Sequence, residues 1–158
     1  MTTSLIPVSV EVLATPTTLR RSTAGGITGL LWVRLTSADR PPRIVDFPEA
    51  NWSDFPVVVL GWWLGQLARP IEGKEALARC HFMDGPHEFA VHRRHDQPLW
   101  ELRLPGNRPS MVAGNQFLRA LVDAARGVLQ SCEGQGWGGS DVDALARAIE
   151  QGEQYAAA

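Results

Sequence analysis

From Ser53 to Pro70 the chain reads SDFPVVVLGWWLGQLARP, and no other segment limits the fold as strongly. Ser53 or Asp54 is a natural helix N-cap, because a short side-chain oxygen accepts one of the orphan N–H groups of a first turn. Pro56 fits that turn, where no intrahelical donor is lost, and Pro70 stops the helix after Leu67 or Ala68. With Ser53 as cap, Trp52 and Val57 fall at the two positions of a hydrophobic staple. Three consecutive valines also suit a strand, but the flanking signals and the length favour helix. Val57, Val58, Val59, Leu60, Trp62, Trp63, Leu64 and Leu67 leave almost no polar face. A helix that is apolar nearly all round must be covered on several sides, so a sheet and further helices are expected to enclose it. Gly61 and Gly65, spaced GxxxG within it, predict close approach of a strand or helix rather than a membrane dimer.

The elements that could provide this cover follow from periodicity. Residues 7–13 (PVSVEVL) alternate, with Val8, Val10 and Val12 on one face. A Thr-, Ser- and Gly-rich stretch, Thr15 to Gly26, predicts a solvated, mobile loop. Residues 27–36 (ITGLLWVRLT) form a second strand with Leu31, Val33 and Leu35 towards the core, and residues 43–47 (RIVDF) a short third. Residues 76–104 predict a three-stranded meander that turns at Asp84-Gly85-Pro86, sets Phe89 and Val91 on one side with Glu88, Ala90 and His92 on the other, and faces Trp100, Leu102 and Leu104 inward. Two amphipathic helices complete the chain, one from about Gly114 to Cys132 and one from a capping-box-like Ser140, with Val142, Leu145, Ala146 and Ile149 inward. The tail after Gly152 is expected to fray. The order βββ-α-βββ-αα predicts a single α+β domain over residues 1–158: an antiparallel sheet of about six strands against a buried central helix and two C-terminal helices.

Composition narrows the function classes. The formal charge of −2, from 15 basic and 17 acidic side chains, argues against a nucleic-acid binder, which needs a clustered basic excess. No apolar run has membrane-spanning length, and the N-terminus lacks a basic flank followed by an apolar stretch. Lys74 is the only lysine beside fourteen arginines, a bias that reads as coding composition. Cys80 and Cys132 form no metal-like spacing and suit small buried hydrophobes, so a reduced, cytoplasmic protein is the simplest expectation. His81, His87, His92 and His95 crowd into fifteen positions, but on a hairpin with mixed side parity they read as polar decoration rather than as ligands. No GxSxG, HExxH, Walker or GxGxxG pattern occurs. No catalytic, metal or cofactor-binding residue is assigned.

The acidic middle is the better candidate site. Residues 46–75 hold Asp46, Glu49, Asp54, Glu72 and Glu75 against Arg69 and Lys74, five acids to two bases and a local −3. Phe47 and Trp52 share the same short connection. Carboxylates and rigid aromatics at that density suit an interface facing a basic partner, with Asp46, Glu49, Trp52, Asp54 and Glu72 as the partner-binding residues. The competing structural account has Ser53 or Asp54 capping the helix, Trp52 stapling it and Phe47 in the core.

The block DFPEANWSDFPVVVLGWWLGQLARP, with HFMDGP and LWELRL after it, resembles small single-domain bacterial immunity proteins of polymorphic and contact-dependent toxin systems. The resemblance spans roughly residues 43–150 and carries no motif of assigned role. It implies a non-enzymatic protein that binds and blocks a cognate toxin domain. The start without signal-peptide character then places that toxin's action in the cytoplasm, and occlusion of its active site is the expected mechanism. Two other classes remain open: an effector adaptor or chaperone, and an α+β domain whose tryptophans and histidines line a small-molecule pocket.

Overall fold

A computed structural model describes residues 6–157 of the chain, so the N-terminal residues 1–5, which bear on a leader sequence, lie outside the described residues. The apolar segment is a helix, α1 (Pro56–Leu67), with Val57, Val59, Leu60, Trp63, Leu64 and Leu67 buried, while Trp62 is 47% exposed. Its start differs from the expectation. The N-cap is Phe55, no side chain caps the turn, and Ser53 and Asp54 form a two-residue strand instead. Pro56 at the first position removes one of the orphan N–H groups of the first turn. With the cap at Phe55, Trp52 falls outside the staple position as well.

Around α1 lie two antiparallel sheets, so the expected α+β class holds with the sheet divided in two. In the first, the ten-residue β3 (Ile27–Thr36) is the common partner of β1 (Ser9–Ala14), β2 (Arg20–Arg21), β4 (Ile44–Phe47) and β5 (Ser53–Asp54). β1 and β4 both flank its second half, where Val33 opposes Val12 and Phe47, and β2 and β5 pair with its first half. Leu31, Val33 and Leu35 face the core as the alternation requires. The loop after β1 is less free than its composition implies. It holds a 3-10 turn at Pro16–Thr18, buries Leu19 and adds β2 to the sheet. Leu19 lies against Gly29, where any Cβ would collide with its side chain.

The second sheet is the meander β6 (Glu75–His81), β7 (Glu88–Arg94) and β8 (Leu99–Arg103), extended by an unforeseen fourth strand, β9 (Ser110–Ala113). Among the described residues, hydrogen bonds link the sheets at two places. Val8 N–H donates to the Met111 carbonyl at 2.9 Å, and the Asp54 carboxylate accepts the Met83 and Asp84 N–H groups, each at 3.1 Å. α2 (Gly114–Gly134) follows β9 directly, and the Trp100 ring packs so closely on Gly114 that no side chain fits there. α3 (Ser140–Ala157) continues past Gly152 without fraying, because Gly152 is buried against Leu64 and Val122. Ala146 faces solvent, while Val142, Leu145 and Ile149 are buried. A Cβ at Gly61 would lie 4.0 Å from the Leu145 Cα, an ordinary contact, so Gly61 faces α3 while Gly65 faces open space.

The core centres on Trp63. Its ring meets Phe82 and Phe89 edge-on at 5.0 Å each, and its indole N–H donates to the His81 carbonyl at 2.8 Å. Phe47 completes the cluster against Phe82 and Phe89. Edge-to-face contact of this kind adds about 0.5–1.5 kcal/mol per pair beyond burial. Among the described residues, no helix is long and apolar enough to cross a membrane.

Candidate functional site

The segment from Asp46 to Asp54 joins β4 to β5 and divides its polar groups between the interior and the surface. Asp46 sits opposite Arg34 in the β3–β4 ladder, and its Oδ1 accepts the Arg34 Nε–H at 2.8 Å and the Trp32 indole N–H at 2.9 Å. The hydrogen bond to Asp46 raises the Arg34 pKa above its ordinary value. The pair covers Trp32, which is buried on the face the alternation assigns to solvent. Asp46 therefore contributes little free negative charge.

Asp54 is withdrawn further, at 1% exposure. One carboxylate oxygen accepts the Phe55 and Met83 N–H groups at 2.8 and 3.1 Å, and the other accepts the Trp52 indole and Asp84 N–H groups at 3.0 and 3.1 Å. Hydrogen bonds to a charged acceptor contribute about 1.5–3 kcal/mol each in net terms. These four donors explain why a buried carboxylate is tolerated without a cation beside it. Asp54, one of the expected partner-binding residues, fastens β5 to the β6–β7 turn with its carboxylate turned inward rather than exposed.

Trp52 is held half-buried between Asp54 and the His87 ring, which it meets edge-on at 4.8 Å and 87°. Gly85 in the turn lies under the same indole, and its φ of 75° is one that glycine adopts freely. The result is a single surface made from two connections, the Asp46–Asp54 loop and the Met83–His87 turn. Glu49, Asp84 and Met83 are exposed on it, Met83 at 49%. Met83 also borders a 320 Å³ groove that Phe55, Val58 and Gly138–Val142 line. Glu72 is not part of this surface. It follows the opposite end of α1, beside Gln66 and Ala76–Ala78.

The histidines each have their own neighbour. His81 pairs with Glu88 at 3.1 Å, His92 with Glu75 at 3.0 Å and His95 with Asp96 at 3.2 Å, while His87 packs on Trp52 and Phe47. Among the described residues, no three His, Cys, Asp or Glu side chains converge as a metal site would require.

Arg93 was not among the candidates, yet it is 2% exposed. Its guanidinium donates to the Leu67 and Arg69 carbonyls at 2.9 Å and to the Gln66 carbonyl at 3.3 Å, and it stacks 5.5 Å over Trp100. A cation on the carbonyl end of α1 is where the helix dipole favours one. Burial lowers its pKa, Tyr155 opposes that shift, and an arginine stays charged regardless. Alternation along β7 places Arg93 on the inward face with Phe89 and Val91, so parity alone could have found it. Cys80 and Cys132 are fully buried, and burial pushes both thiols up, Cys80 strongly.

No family model, curated protein or solved structure matches this chain.

Proposed function

We propose that this chain is an immunity protein that binds a cognate toxin domain acting in the cytoplasm and neutralises it by covering its active site. One observation carries this reading: the Asp46–Asp54 loop and the Met83–His87 turn form one surface, with exposed Glu49, Asp84 and Met83 around a Trp52 whose indole is already fixed by Asp54 and His87. An aromatic held in place before binding loses little conformational entropy on docking, which favours it as an anchor. Carboxylates on the rim steer a basic partner and raise the association rate more than the affinity. The resemblance of the Asp46–Pro70 block to immunity proteins supports the same assignment.

The test is co-expression with the product of the immediately adjacent gene, read as survival of the host and as a complex on gel filtration. We expect both protection and a complex. The Glu49→Lys/Asp84→Lys double variant should slow association about tenfold at low ionic strength. A complex without protection would indicate an adaptor or chaperone, and no affinity together with no protection would remove the proposal.

A further inference from the structure

We propose that β6 pairs edge to edge, in antiparallel fashion, with β6 of a second copy of this chain, on a two-fold axis through Leu77. β6 is the terminal strand of the second sheet, bonded to β7 on one side only. Which of its backbone groups face outward follows from the ladder. His95 N–H donates to the Lys74 carbonyl and Phe82 N–H to the His87 carbonyl, so the even-numbered residues of β6 bond to β7. In an antiparallel pair the bonding residues alternate, which turns the N–H and C=O groups of Glu75, Leu77, Arg79 and His81 to the free edge. The His81 carbonyl is taken by the Trp63 indole. Among the described residues nothing bonds to the backbone of Glu75, Leu77 or Arg79. Leu77 is 50% exposed, and a 320 Å³ groove lies between β6 and the end of α1.

The sequence of this edge is complementary to itself. Glu75-Ala76-Leu77-Ala78-Arg79, run antiparallel against its own copy about Leu77, sets Glu75 opposite Arg79 twice and Leu77 opposite Leu77. The three pairs involve only outward-facing residues, so each can exchange two backbone hydrogen bonds. Directly opposed side chains on one face lie within about 5.5 Å, close enough for the leucine contact and for both ion pairs. In each ion pair Glu75, whose Oε2 meets His92 at 3.0 Å, offers its other carboxylate oxygen to Arg79. Moving the axis to Ala78 sets Leu77 against Arg79 and demands the occupied His81 carbonyl. An axis through Arg79 opposes two like charges. The edge carries no proline or bulge, devices that elsewhere keep such strands single. The inference is independent of the toxin-binding surface, which lies at the opposite end of β6.

Sedimentation velocity across the micromolar to submillimolar range provides the test. The wild-type mass should rise with concentration from the 17.3 kDa of one chain towards twice that value. Leu77→Lys, at an exposed position, should remain folded by circular dichroism and stay monomeric. Glu75→Arg and Arg79→Glu should each weaken the dimer about tenfold, because each puts like charges at both flanking pairs. The Glu75→Arg/Arg79→Glu exchange should restore it to within about threefold. Amide exchange at Leu77 and Arg79, but not at Ala76 and Ala78, should slow with concentration. A wild-type monomer throughout, a dimer indifferent to Leu77→Lys, or folded single variants that the exchange fails to rescue would each overturn the proposal. So would protection of the Leu77 amide that arises only when a toxin is added.

Discussion

The Asp46–Asp54 connection and the Glu75–Arg79 edge divide polar and apolar groups in opposite ways. The connection looks like a surface in sequence, with three carboxylates and two aromatics in nine residues, yet Phe47 and Asp54 are turned inward and Asp46 is tied to Arg34 and Trp32. The edge looks unremarkable in sequence, yet it leaves three residues of backbone unpartnered and a leucine half exposed. Charge density along a chain thus says little about which charges reach solvent. The partners do: a carboxylate that meets several N–H donors is drawn into the fold, and a strand with neighbours on one side only is left open.

Substitutions can break or sharpen this contrast. The largest effect is expected at Asp54. Asp54→Ala leaves four donors without an acceptor where the two sheets meet, and should cost about 3–5 kcal/mol in urea unfolding. Next comes Arg93→Met, which keeps the volume but strips the last carbonyls of α1 of their donor. About 2 kcal/mol should be lost by the same measurement.

A pH effect of intermediate size follows from the thiols. Cys80 keeps its proton more tightly folded than unfolded, so its contribution to stability is complete below the ordinary thiol pKa of 9.0 and declines as pH rises above it. Stability should fall by up to about 1.4 kcal/mol per pH unit there, and Cys80→Ala should flatten that slope. The smallest effect on stability belongs to Glu49→Lys, within about 0.5 kcal/mol of wild type. The same change should slow association with the proposed toxin partner, measured by stopped flow at low salt. A stability loss at Glu49 comparable with that at Asp54 would erase the distinction between the inward and outward carboxylates.

Much of the fold was legible because it is local. The apolar run of α1, the alternation of β3, β7 and β8, the Asp-Gly turn and the stripe of α2 each declare themselves within a dozen residues. What escaped depends on distance. Asp54 resembles a helix cap because two of its donors, Met83 and Asp84, come from about thirty residues away. β2 and β5, at two residues each, are too short for any period to register. β9 merges into the start of α2, and the two sheets are linked through bonds between residues far apart in the chain, such as Val8 to Met111. Of the five candidate residues, Glu49 and Glu72 are exposed but at opposite ends of α1. Trp52 is half-buried, and Asp46 and Asp54 are committed to neighbours. Met83, Asp84 and His87 join the surface only because the turn folds back onto the loop.

The central claim is that the Asp54 carboxylate fastens the two sheets together and fixes Trp52 at the surface they form. The most direct measurement is the urea midpoint of Asp54→Asn, nearly the same in shape but with one acceptor oxygen replaced by a donor NH₂ group. That group faces two N–H donors whichever way the amide turns. The fastening role predicts a midpoint lowered by the equivalent of about 3 kcal/mol. A midpoint equal to that of the wild type would contradict it.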